Sequence, residues 1–156
     1  MRKIIILFVL LSGLYGVSAG VCDGYKVFIL CNPRTPVNVR ISPKKGTDIV
    51  GRLDFGDWIE TDGEKRNGFL HVYGIGEYGD GWIFAGYTVE TEPLQLDSWA
   101  IIEASGRVMS YRWIGGRKNG WIKVGERVKV YGLSDDWAVT SKGYIRTKYL
   151  EGYRNE

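Results

Sequence analysis

Short alternating apolar runs constrain this chain more than any other feature. "VNVRIS", "DWIET", "FLHVY", "GWIFAG", "WAIIEA", "RVKVYG", "WAVTS" and "GYIRTKYL" recur along it, each bounded by Gly, Asp or Asn. A period of two sends successive side chains to opposite faces of a strand. Beyond residue 19 no stretch keeps helical spacing over three turns, and Val, Ile, Tyr and Trp dominate the apolar set. Glycine is abundant at 22 residues and proline scarce at 4, which suits many tight turns. Short strands with regular turn signals predict an all-β sandwich or barrel.

The first residues are of another kind. Met-Arg-Lys is followed by the apolar run Ile4–Leu11, and Val17-Ser18-Ala19 places small residues where a signal peptidase cuts. The pattern is that of a secretory signal peptide over 1–19. The run is far short of the roughly 20 residues that cross a bilayer, so no membrane span is expected after cleavage. Cys22, preceded by Ala19-Gly20-Val21, lacks the leucine of a lipidation site. The expected location is exported, in the periplasm or outside the cell.

Removing 19 residues leaves 137, enough for one ordinary domain or two very small ones. Arg2 and Lys3 leave with the signal, so the formal +3 becomes 19 basic against 18 acidic side chains, a net +1. That excludes a uniformly basic nucleic-acid binder. The charge is unevenly placed, with residues 20–97 at net −4 and 98–156 at net +5. The asymmetry suggests two modules with different partners, or two halves that attract each other. For Cys22 and Cys31, export favours a disulfide. An extended "YKVFIL" between them would hold their Cα atoms beyond the roughly 7 Å a bridge allows, so both outcomes stand.

The chain also matches itself. Val39 and Gly56 are repeated as Val108 and Gly125 at an offset of 69, and "GRLDFGDWIE" aligns with "GWIKVGERVK". Phe69 matches Trp137, and "GWIFAGY" matches "GYIRTKY", ending at Tyr87 and Tyr149. Between these landmarks the first copy inserts "GIGEYGDG", which suggests a long flexible hairpin loop. Two tandem copies of a small β unit are expected, over 20–90 and 98–156, with a linker at 91–97.

"VNVRISP…IVGRLDFGDWIE…FLHVYG…GWIFAGY" resembles the bacterial SH3-like (SH3b) domain, and "GERVKVYGLSDDWAVTSKGYIRTKYL" resembles its later part. The second copy departs from the family line at its start, where "GRVMSYRWIGG" stands. The resemblance implies two tandem SH3-like barrels of five to six strands. It also implies core places for Phe69, Trp82, Trp137 and Tyr144, with Tyr87 and Tyr149 less firmly so. Asp135-Asp136 and Ser141-Lys142-Gly143 would form turns flanking the strand of Trp137. Its functional implication is recognition of cell-wall peptidoglycan or its peptide.

Catalytic signals are sparse. His71 is the sole histidine, within a strand, where a structural role is the default. No spacing suggests a metal site, and no cofactor is expected. Acid pairs such as Asp54 with Asp57 fall at turns. The glycine-rich insertion lacks the Lys-Ser/Thr ending and following helix of a phosphate loop. Aromatic side chains outside the expected core carry the positive signal. Tyr111 and Trp113, with Arg112, Arg117 and Lys118, share one loop, and Tyr78 sits in the insertion. Aromatic and basic groups together suit an extended peptide, a glycan or an acidic polymer. The reading is a non-enzymatic binding module whose partner is peptidoglycan. An envelope protein is the alternative, with this chain as inhibitor, immunity protein or accessory subunit of a cell-wall hydrolase.

Overall fold

The computed structural model describes residues 24–153; the expected signal segment 1–19 and Cys22 lie outside the described residues. The chain is all-β, as its alternation predicts. The helical pieces among the described residues are three-residue turns at Gly76–Tyr78, Ala85–Tyr87 and Thr147–Tyr149. The first half contains β1 (Tyr25–Ile29), β2 (Val37–Arg40), β3 (Ile49–Leu53), β4 (Trp58–Thr61), β5 (Lys65–Arg66), β6 (Phe69–Ile75), β7 (Gly79–Phe84) and β8 (Thr88–Val89). The second contains β9 (Leu94–Ile102), β10 (Val108–Tyr111), β11 (Lys118–Ile122), β12 (Arg127–Ser134), β13 (Trp137–Thr140), β14 (Gly143–Arg146) and β15 (Leu150–Glu151).

Each half is one antiparallel sheet, and the strand orders correspond: β3-β2-β7-β6-β4-β1-β8, with β5 added beside β6 off this path, and β11-β10-β14-β13-β12-β9-β15. Backbone hydrogen bonds repeat between the halves. Ile29 N–H donates to Asp57 O as Ile102 N–H does to Glu126 O, and Leu30 N–H donates to Tyr87 O as Glu103 N–H does to Tyr149 O. The turn glycines Gly56 and Gly125, both at positive φ, donate to Ile29 O and Ile102 O. Asn67 and Asp135, at φ 51° and 50°, turn the chain into β6 and β13. Asn and Asp tolerate that region best after glycine.

Three expectations are corrected. The sheets have eight and seven strands rather than five to six, because short pieces such as β8 and β15 join each edge. Of the expected linker 91–97, residues 94–97 are the start of β9, which pairs with β12 from Leu94 onward. The glycine-rich insertion is a continued hairpin, not a long loop: Ile75 pairs with Gly79 across the Gly76–Tyr78 turn. Ile75 is buried against the first core, and that anchors the hairpin.

Each half has its own apolar cluster, around Ile29, Val39, Val72 and Ile83 in the first and Ile102, Val128, Val130 and Ile145 in the second. A third cluster joins them. Leu30 and Val89 of the first half pack with Trp137, Val139 and Tyr144 of the second, and Phe55, Tyr87, Tyr111 and Ile114 lie against this seam. All four residues of β13 are therefore buried, Ala138 in the second core and Trp137 and Val139 in the seam. The buried Tyr144 hydroxyl donates to Leu30 O at 2.6 Å. A Cβ at Gly132 would lie 2.2 Å from Phe55 Cζ, so this glycine lets the first half's ring rest on the second half's backbone. The halves do touch, but charge is not what joins them: every ion pair among the described residues lies within one half.

Trp137 is buried, in the seam rather than within its own sheet. Trp82 is not core. Gly81 and Ile83 take the inward positions of β7, which leaves Trp82 half-exposed on the outer face. Phe69 is likewise half-buried. Trp137→Ala should cost about 3–5 kcal/mol, the usual range for a buried aromatic. Trp82→Ala should cost well under half of that. Denaturant unfolding of the two variants checks the order, and equal losses would contradict this placement.

Candidate functional site

The repeat supplies two equivalent grooves. In each half the second strand of the sheet faces the strand beyond a hairpin: Asn38 pairs with Arg52 as Met109 pairs with Trp121. Its last residue meets the strand leading to the 3₁₀ turn, Arg40 with Trp82 and Tyr111 with Tyr144. A groove runs between that strand and the turn. In the second half it is open, with a volume of about 440 Å³, and Arg107, Met109, Tyr111, Trp121, Arg146, Lys148 and Tyr149 line it.

Its chemistry is cationic and aromatic. Trp121 is 62% exposed, since it points outward from β11. The Arg146 guanidinium stacks 4.2 Å from the Trp137 ring and bonds Asp136 at 3.1 Å, which fixes it at the groove wall. Lys148 lies 5.0 Å from the Tyr149 ring. Among the described residues neither Arg107 nor Lys148 has a carboxylate within ion-pair distance. Two unneutralised cations beside an exposed indole can hold a carboxylate next to an apolar group.

The loop singled out in the sequence is divided by the fold. Tyr111 lines the open groove and meets Trp137 edge-to-face at 5.5 Å. Arg112 is exposed at the mouth of a cavity of about 300 Å³ between the halves, which Tyr87, Tyr111 and Tyr144 also line. Trp113 is not a free surface ring: it is half-buried, packed edge-to-face on Phe84 of the first half at 5.1 Å. Arg117 and Lys118 are exposed but do not line the open groove. Tyr78 is 53% exposed on the hairpin of the first half, and it too lies outside that groove. Arg107, Trp121, Arg146 and Lys148 were missed by the sequence reading. Three of them had a signal in the repeat alignment, where Trp121, Arg146 and Lys148 replace Arg52, Phe84 and Gly86. Arg107 falls against Asn38 at the offset of 69. Only the strand register, with Val108 opposite Ile122 as Val37 is opposite Leu53, sets it against Pro36.

A second cluster lies on the outer face of the first half. Glu60 pairs with Tyr73, and the same ladder continued brings Asp62 beside His71. His71 Nδ1 is 3.0 Å from Asp62 Oδ2, and Nε2 is 3.3 Å from Asp80 Oδ2. The Tyr73 hydroxyl donates to Asp62 at 2.6 Å, and the Trp82 ring covers the imidazole at 4.8 Å. Donor atoms of Asp62, Glu64 and His71 lie within 4.8 Å of one another, while Glu64 is also held by Arg66. The Tyr73 hydrogen bond and then that of His71 lower the Asp62 carboxyl to about 2. Partial burial opposes charge on His71, but hydrogen bonds to Asp62 and Asp80 outweigh it and raise the imidazole.

Nucleophilic chemistry has little to work with here. Cys31 is a free thiol, buried in the first core, and burial, with smaller contributions from Asp54 and Asp57, pushes it up to about 12. A thiol so raised is a poor nucleophile at neutral pH. Among the described residues no serine, threonine or cysteine side chain is hydrogen-bonded to the His71 imidazole.

No family model matches the chain, and no curated protein matches it. Among solved structures it is similar to NlpC1 from Trichomonas vaginalis, at 19% identity and TM-score 0.40 over 92% of this chain. NlpC2 from the same organism follows at 16% identity and TM-score 0.36 over 83%. The chain spans about half the length of these neighbours, 51% and 48%. So distant a likeness carries nothing about activity.

The carboxylate–imidazole cluster sets a pH dependence. His71 is raised above 6.5, so its contribution is full below that pH and is lost as pH rises through the folded value. Asp62 is lowered from 3.8 to about 2, so its contribution is present above 3.8 and lost as pH falls toward 2. The first half should be most stable between those limits. In an NMR titration His71 should titrate above 6.5, and Asp62→Asn should bring its midpoint down. An unmoved midpoint would contradict the pairing.

Proposed function

We propose that this protein is a non-enzymatic, exported binding module of the cell envelope that recognises peptidoglycan through its peptide stem. The observation that carries the reading is the open groove of the second half, with Arg107 and Lys148 unneutralised beside the exposed Trp121. Peptide stems offer carboxylates for the cations and short apolar side chains for Trp121, Met109 and Tyr149. The resemblance of both copies to SH3-like domains, and the signal-like first 19 residues, support the same reading.

A second reading, docking to another envelope protein, draws support from Trp99 and Ile101. They are 52% and 45% exposed, alternate along β9 on one face, and have Arg127 beside the indole at 5.3 Å. Exposed apolar groups with a neighbouring guanidinium suit a protein contact.

The test is retention on purified peptidoglycan sacculi beside retention on envelope protein extract. The Arg107→Glu, Lys148→Glu double variant should bind sacculi at least about tenfold more weakly, with an unchanged melting temperature, since each charged hydrogen bond lost is worth about 1.5–3 kcal/mol. Binding should also weaken as salt rises. Arg117→Glu, Lys118→Glu, with the same charge change outside the groove, is the control and should change retention little. Full retention by the first double variant would overturn the site.

A further inference from the structure

The first half carries the counterpart of the open groove, and the chain's own loop fills it. The Trp113 ring lies edge-to-face on Phe84, and the next residue, Ile114, donates its backbone N–H to Gly86 O at 3.1 Å. A Cβ at Gly86 would come within 2.5 Å of Trp113 Cδ1, so the indole uses the space a side chain would take. In the second half the residues corresponding to Phe84 and Gly86 are Arg146 and Lys148. One groove is thus shaped for a neutral aromatic ring and a backbone donor, the other for an anion. The cavity of about 300 Å³ between the halves is lined by Pro36, Tyr87, Tyr111, Arg112 and Tyr144, not by Phe84 or Gly86.

We propose that the first groove is a second binding site, for a partner protein's exposed loop that presents an aromatic residue followed by an apolar one, and that Trp113-Ile114 occupies it in cis and competes with that partner. The seated segment is itself the template for the ligand: the ring goes onto Phe84, and the following N–H goes to Gly86 O. Charge supports a different occupant for each groove, because a cationic pair at 146 and 148 would repel a second copy of the basic loop 111–118. The proposal is independent of the peptidoglycan reading, which rests on the other groove.

The probe is a capped synthetic peptide of residues 111–117, "YRWIGGR", titrated into the full chain and followed by amide NMR. In Trp113→Ala the ring's place on Phe84 and Gly86 is vacated. The peptide should then give saturable shifts at Gly86 and Phe84, while the same peptide with alanine for its tryptophan gives none. Wild type should bind at least tenfold more weakly, because a tethered competitor acts at an effective concentration near the millimolar range. The Trp113→Ala, Gly86→Ala double variant should not bind. Gly86 has ordinary backbone dihedrals, so its alanine acts through the lost space alone. Arg107→Glu, Lys148→Glu should leave peptide binding unchanged, which separates failure here from failure at the second groove. Absence of saturable shifts in folded Trp113→Ala, or equal binding by the Gly86→Ala double variant, would overturn the site. Should Trp113→Ala not fold, Gly86→Ala alone decides: the Trp113 indole resonance should move toward its solvent-exposed position, and an unmoved resonance overturns the site.

Discussion

The seam between the halves is the contact on which the rest of the structure depends. β13 and β14 are covered twice, by their own sheet on one face and by the first half on the other. A unit of about 60 residues buries little of its surface and is marginal alone. Here Trp137, Val139 and Tyr144 add a second apolar layer outside the second core, and Leu30 and Val89 complete it. The Tyr144 hydroxyl reaches a buried carbonyl of the other half, so this layer holds a hydrogen bond that fixes orientation as well as area.

That double burial explains which parts of the fold were legible. Alternation identified the strands, and turn chemistry at Asp135-Asp136 and Ser141-Lys142 marked the hairpins on either side of β13, where Ser134 pairs with Trp137 and Thr140 with Gly143. The repeat was visible because the same turn glycines and the same closing tyrosines recur. The seam was not visible. Trp82 and Tyr144 occupy the same register position, and each points outward from its own sheet. Only the docking of the halves buries Tyr144 and leaves Trp82 half-exposed, and no local pattern encodes that docking. The aromatic loop was expected to contact a ligand, and its Trp113 instead packs on Phe84 of the same chain.

The His71 cluster was hidden for a different reason. Asp62, His71 and Asp80 are each nine positions apart, a spacing without meaning until the ladder is fixed. Once Glu60 is opposite Tyr73, and Tyr73 opposite Asp80, the three side chains must share one face. Both ring nitrogens then face carboxylates, and Trp82 covers the ring. The half-exposed tryptophan expected in the core thus shields an ion pair from water, which strengthens it relative to a fully solvated one.

Charge and duplication meet at the two grooves. The net −4 and +5 of the sequence halves suggested mutual attraction, yet no ion pair among the described residues spans them. The seam is apolar and hydrogen-bonded, so the positive excess of the second half is not neutralised there. Part of it instead stands in the open groove as Arg107, Arg146 and Lys148. In the first half the residues that correspond by strand register are Pro36, Phe84 and Gly86, all neutral, and a neutral indole rests on the last two. Starting from one strand order, the residues at these positions give one groove that the chain's own loop fills and another whose cations, among the described residues, have no carboxylate partner beyond Asp136. A cation left outside the packing scheme costs the fold little when solvated, and it remains free to meet an anion from solution.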